Sequence, residues 1–371
     1  MAYTVPFVNA REHYRRYRTE FEDAITTTLA NGDLVMRQQL RDFEDHFAAF
    51  CGVKYAVGVN SGYHALHLSM LALGIGPGDE VITVAHTFVA TISAIVHCGA
   101  TPILLDVADD YNINVDAIEA AITPRTRAIA PVHLNGRLAD MTRIMQIARA
   151  RNLLVVEDAA QAIGATVDGR RAGSIGHAGC FSFYPFKILG GFGDGGAVTT
   201  NDPEVARAIR LLRYNGEDRE TGEYHYHGYT ALLDNVQAAV LDVKLKHLPA
   251  WIAHRRSVAE RYRNSLTGIG DLRLAPEDDA RHRDIFQNYV IRTRRRDALR
   301  EQLRAHGIET LLHWPKPVWE HRALKLGDHR LPNTEAICRE VISLPMSAET
   351  TDRDVDLTVA AIRQFFTAGT R

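Results

Sequence analysis

Seven short apolar runs recur between residues 55 and 200 (YAVGVN, EVITVA, PILLD, RAIAPVH, LLVVED, GCFSFY and GAVTT), and helix-like stretches at 61–73, 88–98 and 137–151 lie between the earlier ones. That alternation is the pattern of helices packed on a mainly parallel sheet. Several of the runs are apolar along most of their length, as strands are when helices cover both faces. The chain therefore reads as α/β with a central sheet.

Past residue 200 the text turns more helical, with 203–213 and a long amphipathic stretch near 232–265 that carries Arg and Lys between apolar positions. FQNYVIR (286–292) and the helix-like DALREQLRAHG follow, with Gly307 as its stop. A chain of 371 residues exceeds the size at which one core keeps growing. The expectation is a large domain over 1–250 and a smaller α+β C-terminal domain over 251–371, divided where Leu248-Pro249 interrupts the pattern.

With 46% hydrophobic and 24% charged residues the composition is that of an ordinary globular protein. Lys plus Arg total 43 against 45 Asp plus Glu, so no global field recruits nucleic acid or an anionic membrane, and any anionic ligand must be held locally. The opening MAYTVPFVNAREHYRRYR has no signal-type apolar core, and no stretch of about 18 apolar residues occurs. A cytoplasmic protein, with neither nucleic acid nor membrane as partner, is expected. Cys51, Cys98, Cys180 and Cys338 lie far apart without a CxxC pair, which favours free buried thiols over zinc or disulfides.

Three segments carry chemistry. LLVVED ends in Glu157 and Asp158, where open α/β sheets bind ligands, and a carboxylate at such a buried end needs a proton or a cation. A protonated pyridine nitrogen would serve; a metal, a helix cap or a structural ion pair is the plain alternative. GCFSFYPFKILGGFGDGGAV places Ser182 between Phe181 and Phe183, so strand alternation turns its hydroxyl toward polar contents. Lys187 follows on an irregular turn among apolar and aromatic residues, which lowers a lysine pKa and favours a neutral, nucleophilic amine. Gly190, Gly191, Gly193, Gly195 and Gly196 allow the backbone close to a bulky ligand. A nucleotide-phosphate loop is excluded because Lys187 precedes the glycines and Ala197-Val198 begins a strand. NSGYHALHLSML opens a helix at Ser61 or Gly62, whose free amides and dipole suit a phosphate. His64 and His67 share a face, but no third ligand is apparent, so polar contacts rather than a metal are expected.

Taken together, SGYHAL, GIGPGDEVITVAHTFVAT, GATPILLDV, PVHLNGRLADM, VVEDAAQAIGA, FSFYPFKILGGFGDGGAVTTND, LDNVQAAVLDVKLK, GIETLLHWPKP and SLPM resemble, in order and spacing, one family: the DegT/DnrJ/EryC1/StrS group of sugar aminotransferases, fold type I enzymes that use pyridoxal 5'-phosphate (PLP). The likeness runs through nearly the whole chain. It implies that Lys187 holds the cofactor as a Schiff base and that Asp158 keeps the pyridine nitrogen protonated, making the ring a better electron sink. It further implies Gln161 as partner of the ring hydroxyl, Ser182 with the backbone of Gly62 and Tyr63 as the phosphate site, and Phe88 on the ring face. Tyr184 and His313 would contact the substrate. The reaction implied takes an amine from an amino acid, L-glutamate by family habit, to a keto-sugar on a nucleotide diphosphate, with Lys187 shuttling protons. A free keto-sugar or keto-cyclitol as acceptor, and a non-catalytic PLP-binding regulator, are the alternatives. Relatives that work as dehydratases carry histidine in place of the lysine, so Lys187 speaks against that branch. A homodimer with shared active sites is implied as well. Tyr63 stands where the family has Thr, and Ile188 where an Asn often follows the lysine. Thr230 and Leu232 replace an Asn and an Arg; that Asn reaches the phosphate from the partner subunit, a contact Thr230 could keep through its hydroxyl.

Overall fold

The computed structural model describes residues 3–368. Strands β1 (Tyr55–Val59), β2 (Glu80–Val84), β3 (Thr101–Leu105), β4 (Thr126–Ala130), β5 (Leu154–Asp158), β6 (Ala178–Ser182) and β7 (Gly196–Thr200) fall on the seven predicted runs. They form one sheet in the order β1-β7-β6-β5-β4-β2-β3. β2 pairs parallel with β3 and β4, and β5 parallel with β4 and β6. Only β7 runs against its neighbours β1 and β6.

Successive residues of these strands feed opposite cores, which is why the strands read as unbroken apolar runs. Ile82, Ile129 and Val155 join Phe43, Phe47 and Phe181 on one face, while Val81, Ala128 and Val156 join Leu66, Ile95 and Ile209 on the other. Helices α1 (Ala10–Arg16), α2 (Arg18–Ala30) and α3 (Gln38–Cys51) open the chain. The second face is covered by α4 (Gly62–Ala72), α5 (Val89–His97) and α7 (Pro203–Leu212); the first by α3, by α6 (Met141–Arg151) and by the start of α8 (Asn235–Leu266).

Helix α8 spans 32 residues with Pro249 inside it. The expectation that Leu248-Pro249 interrupts the pattern is thereby corrected. Proline removes one intrahelical hydrogen bond, but Leu248 and Trp251 are both buried in the first core and hold the helix across the gap. Farther on, Val258, Tyr262 and Leu266 enter a separate core. That core packs the antiparallel pair β8 (Tyr289–Arg292) and β9 (Val341–Leu344) against helices that include α9 (Arg296–Ala305) and α11 (Asp352–Ala368), after α10 (Pro332–Glu340). Val5 bridges to Ile308, so the first described residues join this C-terminal core rather than the large sheet. All four cysteines are buried and free. Among the described residues no helix is long and apolar enough to cross a membrane.

Candidate active site

Loops at the C-terminal ends of β1, β2, β4, β5 and β6 surround a cavity of about 710 Å³, within the usual range for a small-molecule site. Where β1 turns into α4, Ser61 caps the helix by accepting the His64 amide at 3.1 Å. The next two amides, of Gly62 and Tyr63, have no partner among the described residues. A Cβ on Gly62 would lie 2.7 Å from Ser182 Cβ, so only glycine lets α4 approach the end of β6 this closely. Two free amides at a helix N-terminus beside a serine hydroxyl form an anion cradle. Gly62→Ala is expected to push the two walls apart and weaken PLP binding by about tenfold while the protein still folds. Fluorescence titration of the apoprotein with PLP measures this; an unchanged affinity would remove Gly62 from the cradle.

Strand alternation sends the two acids of β5 in opposite directions. Glu157 is fully buried and accepts the amides of Gly173 (2.9 Å), Ile175 (2.7 Å) and Gly176 (2.6 Å) as well as His133 Nε2 (2.9 Å). His133 Nδ1 accepts the Ala139 amide, so Nε2 carries the ring proton and donates it to Glu157. Burial pushes the Glu157 pKa up, but the His133 contact and the glycine amides outweigh it and hold the carboxyl below its ordinary range. Asp158 instead lines the cavity. Its Oδ2 accepts the Thr91 hydroxyl at 2.7 Å and its Oδ1 the Ala160 amide at 3.2 Å. Burial raises its pKa despite Thr91, Ala160 and the nearby Lys187 amine. Glu157 is thus a satisfied clamp on the 173–176 loop, and Asp158 is the cavity-facing carboxylate whose burial the Lys187 charge offsets only in part, with no ion pair to it among the described residues.

Lys187 lies on the turn after β6, its amide bonded to Tyr184 O at 2.8 Å, and its side chain lines the cavity. Loss of hydration lowers its pKa to about 8, with Asp158 pulling it part of the way back. His313 lines the same cavity, donates to or accepts from Ser343 Oγ at 3.0 Å through Nδ1, and is pushed down to about 4 by burial and by the Lys187 charge. Gln161 turns its Oε1 to the Asn135 amide at 2.9 Å. Phe88 stands 58% exposed at the mouth, its ring 6.2 Å from that of Trp314. Tyr184 forms an edge contact with Phe186 on the wall.

The cavity therefore gathers Gly62, Tyr63, Phe88, Asp158, Gln161, Ser182, Tyr184, Lys187 and His313. Thr230 is not brought to it. The residue is exposed at the base of the Glu217–Tyr224 ribbon, where it pairs with Tyr214 and donates to Asn215 Oδ1 at 3.1 Å. Leu232 likewise lies outside the lining and bridges to Val59. The Tyr63 hydroxyl turns to His97 Nδ1 at 2.6 Å and its ring stacks on His67, so the departure from threonine leaves the backbone amide untouched. His64 and His67 are engaged by Asn60 (2.7 Å) and Tyr229 (3.0 Å). The sequence reading missed Thr91, Asn135, Gln287 and Asn288, which hold the cavity's functional groups in place. Thr91 alone left a signal: it follows Phe88 at helical i, i+3 spacing.

A pyridine ring that carries an aldehyde and a phosphate offers what this cavity lacks: an electrophile for the amine, a cation for Asp158 and an anion for the free amides. An α/β sheet that presents such a set at its strand ends defines the PLP-dependent enzymes of fold type I. The model of the DegT/DnrJ/EryC1/StrS aminotransferase family matches residues 16–363, and the chain belongs to that family. It is 43% identical to a dTDP-3-amino-3,4,6-trideoxy-alpha-D-glucose transaminase of Streptomyces venezuelae, covering 92% of this chain and 91% of the relative. It is 40% identical to a UDP-N-acetyl-3-dehydro-alpha-D-glucosamine 3-aminotransferase of Acidithiobacillus ferrooxidans, over 97% of both. The crystal structure of S. venezuelae DesV in complex with a ketimine intermediate superposes with a TM-score of 0.95 at 41% identity, covering 98% of this chain and 99% of that one.

Proposed function

We propose that this aminotransferase moves an amino group from an amino acid, L-glutamate in our reading, onto C3 of a keto-sugar carried by a nucleoside diphosphate. The observation that carries the reading is one cavity lined by an amine of lowered pKa and by a buried carboxylate short of a cation. Amination at the 3-position of a nucleotide-linked sugar is common to the names of both relatives above.

When bound, the cofactor supplies a ring that takes up the electron pair left when a proton leaves the substrate carbon. Lys187 would hold it through Nζ. Once released, the same amine carries a proton to and from that carbon, a task suited to a group titrating near neutrality. Asp158, oriented by Thr91 and the Ala160 amide, would keep the ring nitrogen protonated. Gln161 would donate Nε2–H to the ring hydroxyl, Phe88 would cover the ring face, and Ser182 with the Gly62 and Tyr63 amides would bind the phosphate. His313 and Tyr184 would face the sugar.

The lining holds one lysine and no arginine. A diphosphate must find its cations beyond the lining of one chain, which supports a homodimer whose hairpin, with Thr230 at its base, completes the partner's site. The same scarcity of cations is what favours the second reading, a free keto-sugar or keto-cyclitol acceptor. We take the enzyme to work in the cytoplasm, where nucleotide sugars are made. Excess L-glutamate should convert the visible band of the PLP-loaded protein to the pyridoxamine form, and a dTDP-linked 3-keto-deoxysugar should then restore it. The nucleotide-linked acceptor is expected to exceed the matching free keto-sugar in kcat/KM by at least about a hundredfold, the remote diphosphate contributing binding energy. Equal values would favour the free-sugar reading.

A further inference from the structure

Two residues just ahead of β8, Gln287 and Asn288, reach from the C-terminal core into the loops of the large sheet. Gln287 is 6% exposed. Its Oε1 accepts the Ile188 amide at 2.9 Å and its Nε2 donates to Phe186 O at 3.1 Å. One side chain thus grips both neighbours of Lys187. A backbone amide can only donate and a carbonyl only accept, so these partners fix which end of the Gln287 amide points where. Behind it, Arg255 donates through one nitrogen to Phe286 O (2.9 Å) and Gln287 O (3.2 Å), bracing the segment. Phe286 takes φ +50, a left-handed conformation rarely kept by a bulky residue unless its surroundings hold it.

Asn288 is 4% exposed and works on a different group. Its Nδ2 donates to Asn135 Oδ1 at 3.2 Å and lies 3.5 Å from Gln161 Oε1. Asn135, itself at φ +58, donates its backbone amide to the same Gln161 oxygen at 2.9 Å. With that oxygen taken, Nε2 is the end of Gln161 left for the cavity. An aspartate at 288 would set a carboxylate against two carbonyl oxygens, and a glutamate at 287 could not donate to Phe186.

We propose that Gln287 and Asn288 are paired positioning residues: Gln287 sets the reach of the Lys187 amine, and Asn288, with Asn135, makes Gln161 present its amide hydrogens rather than its oxygen to the cofactor. The inference rests on the reading of Lys187 and Gln161 as cofactor ligands given above. Because the two residues are adjacent, a shift of β8 against the large sheet moves both cofactor contacts together.

The test uses the PLP-loaded enzyme and the variants Gln287→Met, Asn288→Asp, Gln161→Ala and Asn288→Asp/Gln161→Ala. Gln287→Met should move the pH midpoint of the visible band by about one unit and slow borohydride fixation of the cofactor to Lys187, with kcat down about tenfold and KM for the keto-sugar within about twofold. Asn288→Asp should weaken PLP about tenfold, and the double variant should be no weaker than Gln161→Ala alone, because residues acting through one group are not additive. Variants with unchanged circular dichroism whose band and PLP affinity match the wild type, or additive losses in the double variant, would overturn the proposal. Should Gln287→Met not fold, Gln287→Asn, one methylene shorter, takes the same readouts. A wild type that shows no visible band with PLP would instead remove the functional reading beneath it.

Discussion

Lys187→Ala is expected to lower transamination by about 10⁴-fold and to leave no cofactor attached after borohydride treatment, since in the proposed reaction this one amine is both the nucleophile and the proton carrier. The loss should appear in kcat rather than KM, because the amine acts on the reacting carbon and not on the groups by which the sugar is bound. The wild-type apoprotein gives the matching pH signature. Its Lys187 pKa is lowered from 10.5 to about 8 by burial, so the neutral fraction of the amine, and with it the rate of PLP capture, should rise through pH 8 and level off above it. A solvated lysine would keep climbing until about 10.4. The same shift affects stability. Between about 8 and 10.5 the unfolded chain holds the proton that the folded chain has released, so this group makes the apoprotein more stable as pH rises across that window. Capture that keeps climbing to about pH 10, or a Lys187→Ala protein that still fixes PLP at one residue, would assign the attachment to another amine.

The central sheet was legible because strands covered on both faces carry apolar residues at nearly every position, and β2 is buried at all of them. That Lys187 and Asp158 meet at one cavity was legible because their surroundings and the family motifs agree. The residues alone did not choose between Glu157 and Asp158, and only the family resemblance singled out Asp158, since the choice depends on which face of β5 meets the loop at 173–176 and which meets the cavity. Pro249 misled the reading for a tertiary reason: a lost helical bond matters little where Leu248 and Trp251 are packed into a core. Gln287 and Asn288 went unseen because their partners lie 99 and 127 residues away in sequence, and no local pattern marks such contacts. Thr230 is a different case. One chain holds it outside its own cavity, and its proposed contact belongs to an assembly of two.

Asp158→Asn and Glu157→Gln should separate what the strand places side by side. In the apoprotein, burial raises the Asp158 pKa, and neither the Thr91 hydroxyl nor the Ala160 amide neutralises its charge. A carboxyl raised in this way stabilises the fold at low pH and loses that contribution as pH rises through its folded pKa. Burial outweighs the partial compensation by the Lys187 amine, so removing the charge in Asp158→Asn should leave the apo variant at least as resistant to denaturant at pH 8 as the wild type. With PLP the order reverses. The wild type gains a cationic ring nitrogen for its carboxylate while the amide does not, so PLP should raise the unfolding midpoint less in Asp158→Asn. The first half-reaction with L-glutamate should slow by about 10³-fold, since an unprotonated ring withdraws electrons poorly. Glu157→Gln should do the opposite. It offers an amide NH₂ to backbone N–H groups that need an acceptor, which costs about 2–4 kcal/mol of stability, yet its side chain faces away from the cavity and the visible band should stay where it is. If Asp158→Asn keeps the wild-type half-reaction rate, the ring nitrogen has some other partner. If Glu157→Gln moves the band, the division of β5 into a structural face and a chemical face fails.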